Sequence, residues 1–386
     1  MMTSESPEEV FLAAARSQTG QIVHIGASSA LFPGGRNGPY FDLESPVRNS
    51  AHALCTMAVA HSLTGDDVFL RYGQALARFL LDEHEFLMNG VAVHRQRSPK
   101  DWCNGVIGPA WLIEGLTVGG RLLDIPAAVE RARALATAQP FDDRAALWCR
   151  EDPRRGAGGL DRTLNHQVYF AAAATGVARA ALETDDVPAT VTAFLDHLAE
   201  RGLRVEPSGL IVHHVAGRDE TGRGLRGLKE RTLRRARNSP ALLRVRNGRP
   251  GRAPDMRERD RGYHIYSLFT LANLRLAVPA HPLWNADPLR KALGLVVSDG
   301  WLNTLDENRY AYAYNAPGLE LALVARGFGD IEPGLAATAG EALTRQVARS
   351  LDPGSGLFVH STPDRLTLSA RIYELGLALA PEWPKS

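Results

Sequence analysis

The chain alternates between two kinds of helical segment, and that alternation restricts the folds open to it more than any single motif. One kind is apolar on almost every side: Ser50 to Leu63, Gly105 to Leu116, Val168 to Val177, Ile265 to Leu276, Leu319 to Val324 and Leu366 to Leu379. The other, as in Asp67 to Leu81, Pro126 to Ala138 and Pro188 to Arg201, carries Arg, Glu and Asp on one face. A helix that is apolar all round has no face for water and must be enclosed, whereas an amphipathic helix has one face to bury. Apolar periodicity and breakers predict twelve helices, near 6–18, 45–64, 66–82, 104–123, 126–138, 163–182, 188–202, 262–278, 287–300, 316–328, 334–349 and 364–380. Six enclosed helices inside six amphipathic ones make an all-α ring of helical hairpins, an (α/α)6 toroid.

A shorter repeat accompanies the helices. Gly20 to His24, Gly90 to His94, Gly209 to His213 and Gly356 to His360 share the pattern G-x-x-V-H, and their β-branched and aromatic content predicts short β-hairpins at one rim. The segment from Arg218 to Arg261 breaks the rhythm, with 15 Lys or Arg against 6 Asp or Glu. Its Gly and Pro content reads as loop, with Arg231, Arg234, Arg235 and Arg237 on a short helix. The expected organisation is one toroid domain over 1–386 with a basic, loop-rich insertion at about 204–260.

Over the whole chain, 44 Lys and Arg nearly cancel 43 Asp and Glu. This gives no general attraction to nucleic acid or anionic membrane, and no aromatic residue interleaves the basic run as a single-strand platform requires. The three cysteines, Cys55, Cys103 and Cys149, form neither a disulfide framework nor a zinc module. Glu5, Glu8 and Glu9 stand where a secretory signal carries basic residues, and no run reaches the roughly 20 apolar residues of a membrane span. The expected setting is the cytoplasm. No P-loop or dinucleotide fingerprint is present, the G-x-x-V-H histidines are read as repeating with their strand, and neither a metal nor an organic cofactor is expected.

Because the enclosed helices share a direction, polar residues at their starts converge on one mouth. Those starts bring Arg48 and Asn49, then Asp101, Trp102 and Asn104, then Asp161, Asn165 and His166. The later three bring Tyr263, His264 and Tyr266, then Tyr314 and Asn315, then Arg371. Helix capping accounts for the Asp and Ser residues but not for the imidazoles, guanidiniums and aromatic rings. Rings beside amides and cations suit a sugar, by stacking on its apolar faces and hydrogen bonding to its hydroxyls. Glu44 and Glu320 are expected to pair with Arg48 or Arg371.

This pattern resembles the (α/α)6 toroid glycoside hydrolases, polysaccharide lyases and sugar epimerases. More narrowly, Tyr40 to His61, Trp102 to Leu116, Leu164 to Ala171, Gly262 to Leu276 and Tyr314 to Leu323 are similar to the VpsJ-type proteins of exopolysaccharide gene clusters. Asn165-His166 at the start of an enclosed helix resembles the pair of toroidal alginate and heparin lyases, in which a Tyr from another helix completes the site. The resemblance implies a carbohydrate-active enzyme working on an anionic, uronate-containing glycan as lyase or C5-epimerase. Asn165 and Arg48 would hold the carboxylate, and His166, Tyr263 or His264, with Asp161 beside them, would exchange the proton α to it. Asn49, Trp102, Asn104, Tyr266, Tyr314, Asn315 and Arg371 would complete the sugar contacts. Two further expectations stand beside this one: glycoside hydrolysis by a carboxylate pair drawn from Asp42, Asp101 and Asp161, and a non-catalytic glycan-binding protein of a polysaccharide system. The Arg-Gly-Gln-Ala-Trp run of unsaturated-uronyl hydrolases is absent. The sequence leaves the oligomeric state open.

Overall fold

Every residue from Val47 to Ala60 is buried, so the first apolar segment forms a helix with protein on all sides. A computed structural model describes residues 6–88, 91–96, 101–152, 156–182, 187–221 and 256–381. In chain order its helices are α1 (Pro7–Thr19), α2 (Val47–Thr64), α3 (Asp67–Leu81), α4 (Ile107–Leu122), α5 (Pro126–Ala138), α6 (Leu164–Leu182) and α7 (Ala189–His197). They continue as α8 (Met256–Gly262), α9 (His264–Ala277), α10 (Asp287–Val296), α11 (Pro317–Phe328), α12 (Leu335–Ser350), α13 (Arg365–Ala370) and α14 (Tyr373–Leu379). The apolar helices α2, α4, α6, α9, α11 and α14 pack in that order, and α14 returns to α2 to close the ring. Outside it, α3 lies on α2 and α4, α5 on α4 and α6, α7 on α6 and α12 on α11. The fold is the (α/α)6 toroid.

Local chemistry sets the element ends. Ser6 and Glu9 form a reciprocal capping box at the start of α1, the Glu9 N–H donating to Ser6 Oγ at 3.2 Å and the Ser6 N–H to Glu9 Oε2 at 2.7 Å. Gly65 ends α2 with a left-handed φ of 68°. Four hairpin sheets, built from β1 (Val23–His24) and β2 (Ala30–Leu31), β3 (Leu87–Met88) and β4 (Val91–Ala92), β5 (Phe141–Asp142) to β7 (Gly156–Leu160) through β6 (Leu147–Asp152), and β8 (Leu351–Asp352) and β9 (Leu357–Phe358), each connect an outer helix to the next inner one. They therefore sit at the end of the ring where the inner helices start.

Most expected helices are met to within a few residues at each end, and three stop short or break within their predicted spans. The segment 188–202 is α-helical only to His197 and then widens into a π turn, Leu198–Gly202. The segment 287–300 stops at Val296. The segment 364–380 breaks at Arg371, whose ψ of −4° is too shallow to continue the helical ladder, leaving α13 and α14. Residues 204–221, placed in the insertion by sequence, are tied into the ring: Leu210, Ile211 and Val215 are buried, the Leu164 N–H donates to His213 O at 2.9 Å and the Val215 N–H to Arg162 O at 3.0 Å. Residues 222–255 of the insertion, including Arg231, Arg234, Arg235 and Arg237, lie outside the described residues, and 256–260 belong to α8. No helix among the described residues is long and apolar enough to cross a membrane.

Candidate active site

Helix N-termini leave backbone N–H groups without intrahelical partners, and six of them face the same end of this ring. Asp161, fully buried, satisfies two at once: it accepts the Val106 N–H at the head of α4 at 2.9 Å and the Thr163 N–H at the head of α6 at 3.1 Å. Its Oδ2 also lies 2.8 Å from His166 Nδ1. Burial alone would raise the Asp161 carboxyl, but His166, Arg150 and the Val106 N–H outweigh it and hold the group well below the usual carboxylate range. An ionised Asp161 only accepts, so the His166 hydrogen at this contact is on Nδ1, and Nε2 is the ring nitrogen not engaged by Asp161. Gly105, with a φ of 67°, makes this pairing feasible, because a Cβ there would overlap Asp161 Oδ2.

His166 opens into a cavity of about 180 Å³ lined by Asn37, Tyr40, Arg48, Arg95, Asn104, Ile107, Trp111, Thr163, Asn165, His166, His213, Arg259, Tyr263, Tyr266, Tyr314, Asn315 and Arg371. Every inner helix contributes from its start. A second imidazole, His213, comes from the fourth-pair connection, its ring centroid 4.6 Å from that of Tyr263. Burial, reinforced by Arg259, pushes His213 well below the ordinary imidazole range, so it is neutral. Its Nδ1 is buried with no hydrogen-bond partner among the described residues. Tyr263 shares a hydrogen bond with Tyr40, hydroxyl to hydroxyl, at 2.9 Å, and burial pushes both phenols up.

No carboxylate side chain lines the cavity among the described residues. The acidic groups stand one layer back, each against an arginine. Arg48 meets Glu44 at 3.2 Å and lies over the Trp111 ring at 4.0 Å. Arg371 meets Glu320 at 2.6 Å and Glu374 at 2.7 Å and lies over Tyr266 at 4.9 Å. Arg95 bridges Asp42 at 3.5 Å and Asp101 at 3.3 Å and bonds Asn104. Both glutamates of the Arg371 group are pushed up by burial, Glu320 to about 7.

Of the residues singled out by sequence, the structure brings His166, Tyr263, Arg48, Asn104, Asn165, Tyr266, Tyr314, Asn315 and Arg371 to the cavity wall. Four stand elsewhere. Asp161 is behind His166. His264 is fully buried, accepting the Ile211 N–H on Nδ1 at 3.2 Å with Nε2 3.1 Å from Ala292 O, so both ring nitrogens are spent on packing. Asn49 donates to Pro33 O at 2.8 Å behind the wall, and Trp102 bonds Asp152 through its backbone N–H at 3.2 Å. Asp42 and Asp101, two of the three carboxylates considered for hydrolysis, are held by Arg95 outside the cavity. Sequence reasoning missed His213 as a site residue, although the G-x-x-V-H repeat contained it. The other three histidines of that pattern, His24, His94 and His360, do not line the cavity. Arg95 follows His94 in the same repeat, and Arg259 stands four residues before Tyr263, one helical turn away.

No known family profile matches the chain. Archaeal glycosylation protein Q of Haloferax volcanii is 32% identical over 347 residues, covering 90% of this chain and 91% of that protein. The chain belongs to that family. Among solved structures, cellobiose 2-epimerase of Spirochaeta thermophila superposes with a TM-score of 0.62 at 12% identity, covering 95% of this chain and 96% of the epimerase. D-mannose isomerase gives 0.61 at 11% identity over 98% of both chains. An unsaturated glucuronyl hydrolase specific for heparin gives 0.58 at 9% identity, covering 97% of this chain and 95% of the hydrolase. At these identities the likeness is one of fold, and the fold it shows is the toroid of carbohydrate-active enzymes.

Proposed function

We propose that this member of the glycosylation protein Q family is a carbohydrate-active enzyme that moves a proton on a uronic acid residue, as lyase or C5-epimerase. One observation carries the reading: among the described residues the cavity presents two imidazoles and a tyrosine hydroxyl, and no carboxylate, to a bound molecule. Hydrolysis by an acid–nucleophile pair needs two carboxyl groups flanking the bond, and Asp42, Asp101 and Asp161 are all turned to other partners. The relative's name as a glycosylation protein and the sugar-acting enzymes that share the toroid support a glycan substrate.

The chemistry follows from the surroundings of each group. The proton α to a carboxylate is acidic only when the charge that develops on that carboxylate is stabilised. Arginines at the cavity wall provide that field. His166 is the base: Asp161 fixes its tautomer and stabilises the imidazolium that forms when Nε2 takes the proton. The Tyr263 hydroxyl is the proton donor, to the leaving oxygen for elimination or to the opposite face of the carbon for epimerisation, and neutral His213 beside it is a hydrogen-bonding group for the sugar. Incubation with acidic and neutral glycans in heavy water, followed by mass spectrometry, tests this. Deuterium uptake or an unsaturated uronyl product confined to uronate-containing glycans is expected, and His166→Ala should abolish it. Cleavage with water addition would assign hydrolysis, and binding without mass change a non-catalytic role; either rejects the proposal.

A further inference from the structure

The arginines at the cavity wall are not equivalent, and their partners distinguish them. Arg48 and Arg371 are each 1% exposed and neutralised by Glu44 and by Glu320 with Glu374. Arg95 is shared between Asp42 and Asp101. Arg259 forms no ion pair among the described residues: its guanidinium hydrogen-bonds Met256 Sδ at 3.6 Å, its Nε is buried without a hydrogen-bond partner, and Asp260, next in the chain, feels its charge without pairing with it. A buried guanidinium nitrogen with no acceptor is costly, and an anion reaching it recovers that cost. Three arginines on this wall are already held in ion pairs. The fourth is in none among the described residues.

Its neighbours fit one kind of anion. Arg259 lies one turn before Tyr263, and the Tyr263 N–H donates to Arg259 O at 2.9 Å, so the two side chains are set by the same stretch of backbone. His213 Nδ1 and Asn165 Oδ1, both buried at the same cavity, also lack partners among the described residues. A planar guanidinium fork matches a carboxylate with two parallel hydrogen bonds, while an imidazole and an amide remain for adjacent hydroxyls. We infer that Arg259 is the residue that selects for charge, holding the carboxylate of a uronic acid beside His213, in place of Arg48, which Glu44 already occupies. This rests on the reading of the cavity as a uronate site and names the group that recognises the uronate.

Titration calorimetry on the full chain with D-glucuronate, its neutral isostere D-glucuronamide, and D-glucose 6-phosphate tests the assignment. Charge-assisted bonds of this kind are worth about 10- to 100-fold in affinity, so wild type should bind glucuronate over glucuronamide by about that factor. Arg259→Gln should erase the preference while leaving glucuronamide binding unchanged and the thermal midpoint no lower, and Arg259→Lys should restore part of the preference, because the charge returns without the fork. A preference that survives in Arg259→Gln, its absence from wild type, or tighter binding of the phosphate would each overturn the assignment. The reaction is scored separately. An Arg259-dependent preference with no deuterium uptake would keep the anion site and reject the proton-transfer reading; uronate turnover with an unchanged KM in Arg259→Gln would do the reverse.

Discussion

At the scale of single residues, function here depends on which histidine has a ring nitrogen to spare. His166 and His264 stand alike in sequence, each at the head of an apolar helix beside polar and aromatic neighbours. Their partners separate them: His166 gives one nitrogen to Asp161 and keeps the other, whereas His264 spends both on Ile211 and Ala292. Those two partners lie 53 and 28 residues away, so no local pattern marks the difference. His213 was obscured for the opposite reason, since its repeat reads as strand periodicity while its burial beside Tyr263 is a tertiary fact. The contrast predicts opposite phenotypes. Asp161→Asn removes the negative charge that stabilises a His166 imidazolium and sets an NH2 group against one of the backbone N–H donors that Asp161 now accepts. Turnover should fall by about 100-fold or more with KM little changed. His264→Gln should keep turnover and lose stability, about 1–3 kcal/mol for its buried hydrogen bonds. Steady-state kinetics and urea unfolding on both variants check this, and a catalytic loss in His264→Gln with normal stability would refute it.

At the scale of elements, the periodicity of the sequence identified the inner and outer helices because burial on all sides leaves an unbroken apolar record, as in α2 and α4. It could not identify the break at Arg371, because the residues on both sides remain good helix formers and the interruption is a matter of backbone angle. Close helix seams are similarly hidden. On α4, a Cβ at Gly115 would lie 2.8 Å from Ala51 O and 2.9 Å from Ala51 Cα, both backbone atoms of α2. On α6, Gly176 has nothing within 4 Å of the same position. Replacing glycine by alanine inside a helix gains about 1 kcal/mol of propensity, while overpacking against a backbone that cannot yield costs about 1–3 kcal/mol. Gly176→Ala should therefore raise the thermal midpoint and Gly115→Ala should lower it. Calorimetry on the two variants decides the matter, and equal shifts of the same sign would show that the α2–α4 seam is looser than these distances indicate.

At the scale of the whole molecule, closing six apolar helices into a ring forces the centre to be dry, and this protein puts charge there. Beneath the cavity, Glu114 of α4 is 6% exposed, accepts Asn273 Nδ2 of α9 at 2.8 Å and is bonded by the Tyr169 hydroxyl of α6, which also meets the Tyr373 hydroxyl of α14 at 3.0 Å. Four inner helices thus share one polar network. The apolar runs made the ring itself readable from sequence, but not this network, since a single Glu in an apolar helix gives no sign of what faces it across the ring. Burial, opposed by the Tyr169 and Asn273 hydrogen bonds, pushes Glu114 up to about 7. The sign of the linkage follows: the native state holds its proton more tightly than the unfolded chain, whose carboxyl titrates near 4.5. The stabilising contribution is complete below that pH, declines as pH rises and is gone above about 7. At 1.36 kcal/mol per pH unit, the loss between the two values is of order 3 kcal/mol. Gln at 114 can accept from Asn273 with its oxygen and donate to the Tyr169 oxygen with its amide, so the network survives without the titration. Urea unfolding of wild type and Glu114→Gln at pH 5 and pH 8 should show the variant gaining on wild type at the higher pH by roughly 2–3 kcal/mol. An unchanged difference between the two proteins at the two pH values would mean that Glu114 ionises in the native ring much as it does in the unfolded chain.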